Sequence, residues 1–291
     1  MKRILQIAAI AALAVTTATA PQPALLKMSD LTSRPRPVQT TTVRYGTDPL
    51  QVVDVWLPTG RGPFPTVLMI HGGCWQTNIA DRHLMDWAAE DLRRQGFAVW
   101  NIDYRGVDRS GGGYPGTFLD VSAAADSLAG HAREFHLDTR HVVAVGHSAG
   151  GHLALWLAGR KHLPPTSPLR TPHPLRIGVV VSLGGLPDLE LDARVENGCG
   201  TQVSAQLAAG HFAETSVPRL APLGVPQYLL NGLQDRIIPT EIASDYQRRM
   251  QAAGDQVRIS WVPQSGHFEL IAPGSRAWDM AVRQIRTAVQ R

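Results

Sequence analysis

The feature that most constrains the fold is an apolar run that leads directly into a G-x-S-x-G motif. Val142–Val145 has the composition of a buried strand, the motif Gly146–Gly150 follows without a spacer, and a helical pattern begins at Ala149. A strand-to-helix turn this tight leaves no room for side chains two positions from its centre, which explains the flanking glycines. The motif therefore predicts that Ser148 is presented as a nucleophile at the carboxyl end of a sheet.

The rest of the chain repeats a short apolar run, a turn and a helical pattern. Strands are predicted at residues 51–57, 66–70, 97–102, 141–145, 176–183, 227–230 and 256–262. Helices are predicted at residues 82–95, 117–135, 149–157 and 278–289. This alternation predicts an α/β fold, with a mostly parallel central sheet covered by helices on both faces. The first strand alternates and stops at Pro58, which favours an antiparallel position near a sheet edge.

We expect one catalytic domain over residues 43–291, a length that α/β domains commonly reach. Within it, residues 186–222 break the rhythm and are rich in Pro, Gly and Ala. They are predicted to form a cap-like insertion over the strand ends, where α/β folds bind their ligands. Residues 21–42 are rich in Pro and Thr without periodicity, and they are interpreted as a leader that joins the domain loosely.

The first twenty residues have the pattern of a secretory signal peptide. Lys2 and Arg3 precede a twelve-residue apolar stretch, Ile4–Val15, and small residues follow as far as Ala20. As a helix this stretch covers about 18 Å, too short for a hydrocarbon core of roughly 30 Å. We therefore expect cleavage after Ala20 or Ala18, export to the periplasm or the medium, and no stable membrane insertion.

Composition limits the class of partner. Apolar residues make up 44 %, enough for one large core, and the 28 Lys and Arg against 24 Asp and Glu are scattered rather than clustered. This distribution argues against a nucleic-acid surface and favours a small-molecule partner. The two cysteines, Cys74 and Cys199, could form a disulfide in an exported chain or remain two buried thiols, and the sequence leaves both open.

A second glycine-rich turn follows the predicted strand that ends at Ile70. It begins His71-Gly72-Gly73-Cys74-Trp75, and successive glycines let backbone N–H groups face into a site. We assign the oxyanion hole to the N–H groups of Gly73 and Cys74, joined by that of Ala149 at the start of a helix. His71 is expected to orient this loop by hydrogen bonding, without transferring protons. Trp75 could be packing or a substrate wall.

The acid and base are sought after the nucleophile, in the chain order that this strand-to-helix motif requires. Asp235 lies in the loop after the predicted strand 227–230 and is the preferred acid, with Asp188 and Asp255 as alternatives. His267 follows the last predicted strand and is the preferred base. His147, inside the motif, is interpreted as a wall of the pocket.

Neither a metal nor another cofactor is expected. The chain has no HExxH pattern and no paired CxxC, and His147 and His152 are five residues apart, off a common helical face. The chemistry predicted is nucleophilic attack by Ser148, with His267 as base and Asp235 as the group that orients it.

These motifs resemble the α/β-hydrolase superfamily and, within it, the exported carboxylesterases and kynurenine-formamidase-like hydrolases. The resemblance covers most of residues 43–291 and rests on His71–Trp75, Asp103–Arg105, Gly146–Gly151 and Gly266–Leu270. It implies that Gly72 and Gly73 shape the oxyanion loop, that Ser148 is the nucleophile, and that Asp103 and Arg105 brace the active-site loops. The chain departs from its relatives at Cys74, where they have glycine or an aromatic residue, and at Asn231, where histidine is common.

The leading functional prediction is a serine hydrolase that cleaves carboxylic esters of small or medium acyl groups. The alternative with the same machinery is an arylformamidase, against which the export signal argues. A peptidase of this fold is a weaker alternative, because such enzymes usually carry an added propeller domain. A catalytically silent binding protein is disfavoured by the intact set of Ser148, Asp235 and His267.

Overall fold

The computed structural model describes residues 24–289, in which eight strands form one sheet in the order β1-β2-β4-β3-β5-β6-β7-β8. The strands are β1 Thr41–Arg44, β2 Val52–Trp56, β3 Phe64–Ile70, β4 Ala98–Ile102, β5 Leu137–His147, β6 Ile177–Leu183, β7 Gln227–Gly232 and β8 Val257–Val262. Strand β2 pairs antiparallel with both β1 and β4. All the other neighbours in the sheet, from β4 through β3 to β8, are parallel. The mostly parallel sheet is confirmed.

Helices cover both faces of the sheet, as predicted. They are α1 Met28–Thr32, α2 Asp86–Arg94, α3 Gly116–His131, α4 Ala149–Gly159, α5 Leu189–Asp192, α6 Thr201–Ala208, α7 Phe212–Thr215, α8 Thr240–Ala252 and α9 Arg276–Val289. Helices α3, α4 and α8 contact the sheet from one side, while α2 and α9 contact it from the other. Two hydrophobic cores result: the first lies between the sheet and α3, α4 and α8, and the second between the sheet and α2 and α9. Within β5, Ala144 packs into the first core and Val145 into the second. This two-sided burial explains why the central strands are continuous apolar runs.

The parallel register brings the functional loops to one edge. Ile70 at the end of β3 lies beside Gly146 of β5, and Gly146 lies beside Ser182 of β6. Leu183 in turn lies beside Leu230 of β7. Because these strands all point the same way, the loops that follow them meet at the carboxyl edge of the sheet.

The leader is not loose over the part that the structure describes, and this expectation was wrong. Residues 28–32 form helix α1, and Leu31 is buried against the second core. The N–H of Leu26 also donates to Glu269 Oε1 at 2.6 Å. The sequence did not indicate helix α1, because a five-residue helix shows too little periodicity to be recognised among prolines and threonines. The predicted signal peptide lies outside the described residues.

The insertion at 186–222 holds only short elements. It contains α5, α6, α7 and a 3₁₀ turn at Val217–Leu220, and its buried leucines, such as Leu189 and Leu207, pack into the first core. Within residues 24–289 no helix combines the length and the apolar character needed to cross a bilayer.

Candidate active site

Ser148 occupies the sharp turn between β5 and α4. Its backbone has φ 54° and ψ −122°, a conformation that non-glycine residues adopt at a cost of about 1–3 kcal/mol. The surrounding structure holds this turn, since the N–H of Ser148 donates to the carbonyl oxygen of Leu183 at 2.8 Å. Strain held in this way at a serine is the arrangement expected for a nucleophile at a strand-to-helix turn.

The glycines of the motif are required by close packing, as their spacing predicted. A Cβ atom at Gly146 would strike the carbonyl oxygen of Gly150, and one at Gly150 would strike that of Ile70. A Cβ atom at Gly151 would lie 2.5 Å from Ser182 Oγ. The turn therefore packs directly on the ends of β3 and β6, and larger residues would push Ser148 out of position.

His267 and Asp235 form a buried pair. The Nδ1–H of His267 donates to Asp235 Oδ2 at 2.7 Å, and the two side chains are 5 % and 1 % exposed. The other carboxylate oxygen of Asp235 accepts the N–H groups of Ile237 and Ile238 at 2.8 and 2.9 Å. The carboxylate is thus fixed by three hydrogen bonds, and it fixes the ring of His267 in turn.

The imidazole lies beside the nucleophile turn. Gly184 follows Leu183, the partner of Ser148, and has φ 57°. A Cβ atom at Gly184 would lie 3.1 Å from His267 Nδ1, so glycine is what lets the ring sit over the strand ends. The hydroxyl of Ser148 forms no hydrogen bond with any residue in the range 24–289. Such bonds often tighten only when substrate is present.

The two alternative acids, Asp188 and Asp255, form hydrogen bonds that stabilise the fold. Asp188 caps α5, accepts the hydroxyl of Ser216 at 2.6 Å and pairs with Arg249. Asp255 accepts the backbone N–H groups that follow Pro222, at 2.7 and 2.8 Å. Neither carboxylate hydrogen-bonds to a histidine, so the geometry favours Asp235.

The predicted oxyanion loop lies against the nucleophile. A Cβ atom at Gly72 would be 2.9 Å from Ser148 Cβ, so the loop passes within contact of that side chain. Gly73, Cys74 and Trp75 have φ of 106°, 52° and 54°, three successive left-handed residues. Among the described residues none accepts the N–H of Gly73 or Cys74. Ala149 is the first residue of α4, so its N–H has no acceptor within the helix. N–H groups left without acceptors are suited to stabilising an oxyanion.

His71 stabilises the predicted oxyanion loop through hydrogen bonds. Its Nε2 lies 3.0 Å from Asp103 Oδ1, its Nδ1 lies 2.7 Å from the carbonyl oxygen of Gly72, and its ring stacks on Tyr104. Burial acts to raise the pKa of Asp103, but hydrogen bonds from His71 and Arg82 outweigh it and hold that pKa below its usual range. The loop therefore rests on a charged, fully bonded carboxylate. This arrangement agrees with an orienting role for His71.

Trp75 and His147 are both buried. Trp75 is fully buried and packs edge-on against the ring of His152, which favours packing over direct contact with substrate. His147 Nε2 lies 3.1 Å from the carbonyl oxygen of His267, and the two rings are 4.4 Å apart. Burial, followed by the nearby His267, lowers the pKa of His147 well below its usual value. A ring held neutral in this way adds no competing charge beside the base.

Two supporting groups escaped the sequence analysis. Arg82 bridges Asp54 and Asp103 through bonds of 2.7 and 2.9 Å, which ties the first helical turn after the oxyanion loop to the sheet. Glu269 links the leader to the loop of His267 through the N–H of Leu26. Asp103 and Glu269 each lie in a motif recognised in the sequence, but no spacing rule connects Asp103 to Arg82 or Glu269 to Leu26.

Asp54, His83 and Asp86 form the one cluster in the described range whose ligand atoms are close enough for a metal. Arg82 already pairs with Asp54 in that cluster, and His83 Nδ1 lies 3.1 Å from Asp86 Oδ2. One oxygen of Asp86 is thus engaged, while Asp86 Oδ1 is buried and has no hydrogen-bond partner among the described residues.

Cys74 and Cys199 form a disulfide, which decides a question that the sequence left open. The bond spans 125 residues and joins the predicted oxyanion loop to the insertion at 186–222. Next to it, the N–H of Gly198 donates to the carbonyl oxygen of Ile237 at 2.7 Å. The insertion is thereby fastened both to the oxyanion loop and to the loop of Asp235.

Replacing Cys199 by serine is expected to reduce both stability and turnover. Opening so long a loop lowers the free energy of unfolding by about 2–5 kcal/mol. Cys74 would also lose the link that holds its backbone, so kcat should fall more than KM changes. Thermal melting and ester kinetics measure the two effects. Reducing agent should reproduce them in the wild type and change nothing in the variant. Unchanged melting and kinetics after verified reduction would contradict this account.

A cavity of about 570 Å³ lies at the opposite edge of the sheet, near Arg160 and Gly178 and away from Ser148. A cavity of about 400 Å³ instead has His267 and Phe268 in its wall. Through His267 this cavity borders the candidate site.

Comparisons with known proteins concern the family and the fold. The sequence model of the BD-FAE family matches residues 53–245. Esterase LipC of Mycobacterium tuberculosis is 28 % identical over 254 residues, which cover 81 % of this chain and 61 % of LipC. The acylamino-acid-releasing enzyme of Rattus norvegicus is 24 % identical over 222 residues, or 72 % of this chain and 29 % of that enzyme. The chain thus spans less than two thirds of either relative.

Solved structures confirm the predicted α/β-hydrolase fold. Esterase B from Lactobacillus rhamnosis superposes with a TM-score of 0.74 at 20 % identity, and the match covers 90 % of each chain. A truncated carbohydrate esterase from gut microbiota superposes with a TM-score of 0.73 at 18 % identity, covering 87 % of this chain and 98 % of the other.

Proposed function

The chain belongs to the BD-FAE family, and from this premise we propose that it is a serine carboxylesterase acting through an acyl-enzyme on Ser148. The observation that carries the proposal is the buried pair of Asp235 and His267 beside a strained serine. The likeness to esterase LipC supports the same class of reaction. The family match supports hydrolase chemistry, and the geometry of the site supports the roles proposed below for its residues.

The reaction begins when His267 accepts the proton of Ser148 as its oxygen attacks the ester carbonyl. Asp235 keeps the imidazole proton on Nδ1, so Nε2 is the nitrogen that can accept, and it stabilises the imidazolium that forms. The N–H groups of Gly73, Cys74 and Ala149 hold the negative charge that develops on the carbonyl oxygen. The imidazolium then protonates the departing alkoxide to give the alcohol, and water hydrolyses the acyl-enzyme by the same steps.

Amide hydrolysis is the second candidate, and the match to acylamino-acid-releasing enzymes favours it. The chain covers 29 % of those enzymes, so this observation concerns only the shared hydrolase part. Parallel assays on p-nitrophenyl acetate, N-acetylalanine p-nitroanilide and N-formylkynurenine separate an esterase from a peptidase and from an arylformamidase. Faster turnover of either amide than of the ester would overturn the esterase proposal.

A preference for short acyl chains is expected. The insertion over the site has no helix longer than the eight residues of α6, and the bond from Cys199 to Cys74 holds it close to the oxyanion loop. A cap this short and tethered offers little apolar surface for a long chain. With p-nitrophenyl esters, kcat/KM should be highest for acetate or butyrate and lower for octanoate and palmitate. A rise for palmitate above its solubility limit would contradict this expectation.

We also propose that the chain is exported. The signal-like sequence lies outside residues 24–289, so the proposal rests on its pattern of charge and apolar residues. The disulfide between Cys74 and Cys199 supports it, because such bonds persist in oxidising compartments and are rare in the cytosol. Fractionation of cells that express the full chain, with mass measurement of the processed N-terminus, tests both export and the cleavage site.

A further inference from the structure

The leader is attached to the loop of the proposed catalytic base through one carboxylate. Glu269 Oε1 accepts the N–H of Leu26 at 2.6 Å, and its Oε2 accepts the N–H of Gly266 at 2.9 Å. Glu269 is 8 % exposed, so both bonds are shielded from water. A charged acceptor shared in this way fixes the leader relative to His267.

A cavity of about 400 Å³ opens between the leader and that loop. Its apolar wall is formed by Leu25, Leu26, Ile237 and Phe268, and His267 lies in the same wall. The two cations that line it, Lys27 and Arg236, are exposed and stand toward the solvent. A cavity of this size and lining suits a small apolar group.

The position of His267 shows which part of an ester this cavity would receive. The imidazole that accepts the serine proton must later donate it to the departing alkoxide, so the alcohol oxygen lies on the histidine side. The carbonyl oxygen lies on the other side, at the predicted oxyanion loop of Gly73 and Cys74. The cavity has His267 but not Ser148 or the oxyanion loop in its wall, and we therefore infer that it lies on the alcohol side of the scissile bond.

We propose that Leu25 and Leu26 of the leader form one wall of an alcohol subsite, and that this subsite selects esters with an apolar alkyl alcohol. The proposal rests on the proposed esterase function. Leu25 and Leu26 act as specificity-determining residues, and Glu269 is the positioning residue that holds them against the loop of His267.

The test compares methyl acetate with hexyl acetate, which share the acyl group and differ only in the alcohol. Leu25→Trp fills the cavity and should lower the ratio of kcat/KM for hexyl over methyl acetate by about tenfold or more. Leu25→Ala removes apolar contact and should lower the same ratio about fivefold. The matched control is Ser29→Trp, which introduces the same side chain on the exposed side of α1 and should leave the ratio unchanged.

Thermal melting of each variant establishes that it is folded before the ratios are compared. An unchanged ratio in both folded Leu25 variants, in an enzyme that still turns over methyl acetate, would overturn the subsite alone. A wild-type protein that turns over neither acetate ester would overturn the esterase function and the subsite with it. A shift in the control equal to that of Leu25→Trp would also overturn the subsite, since bulk anywhere on the leader would then suffice.

Discussion

Replacing Ser148 by alanine is expected to lower ester turnover by about 10⁴-fold or more, because the reaction then has no nucleophile to form the acyl-enzyme. The backbone strain at this turn should persist or relax slightly, so the fold is retained. The measurement is kcat/KM on p-nitrophenyl acetate, together with covalent labelling by a fluorophosphonate probe. The wild type should be labelled and the variant should not.

A matched control is available at Ser122 on α3. Its side chain is buried, and its hydroxyl has no hydrogen-bond partner among the described residues. Ser122→Ala makes the same chemical change away from the site, so activity and labelling should stay close to wild type. Activity of Ser148→Ala within tenfold of wild type would show that another group is the nucleophile.

The sequence predicted those parts of the site whose geometry is local. The G-x-S-x-G motif specifies the turn at Ser148 because its glycines meet backbone within a few ångströms, as Gly146 does at Gly150. Asp235 and His267 were predicted from chain order, and the structure brings them within hydrogen-bond distance because β7 and β8 are neighbours. Short-range sterics and parallel strand order are both visible in a single sequence.

The unpredicted parts depend on contacts between distant segments. Leu26 and Glu269 are 243 positions apart, and no periodicity in the leader indicates that bond. The disulfide stayed open for the same reason, since the number of cysteines does not state their distance. The short strand β1 was missed because its four residues have an intermediate and exposed pattern rather than an apolar one. Such features follow from the assembled fold and not from local propensity.

Asp235→Asn is expected to lower kcat by about 10³–10⁴-fold while the protein stays folded. The reason lies in the bonds of this carboxylate. One oxygen already accepts the N–H groups of Ile237 and Ile238. In the variant the amide oxygen would keep those donors, so the amide NH₂ would face His267 Nδ1. The imidazole would then carry its proton on Nε2 and could not accept the proton of Ser148.

The matched control is Asp188→Asn, which makes the same change at another buried aspartate. Asp188 pairs with Arg249 and caps α5, so its loss should cost about 1–2 kcal/mol of stability and leave kcat per folded molecule close to wild type. Steady-state kinetics on p-nitrophenyl acetate, with active sites counted by the fluorophosphonate probe, separates lost catalysis from lost protein. If Asp188→Asn reduces kcat more than Asp235→Asn does, Asp235 is not the residue that orients His267. The loop after β7 would then serve only to hold the insertion through Ile237.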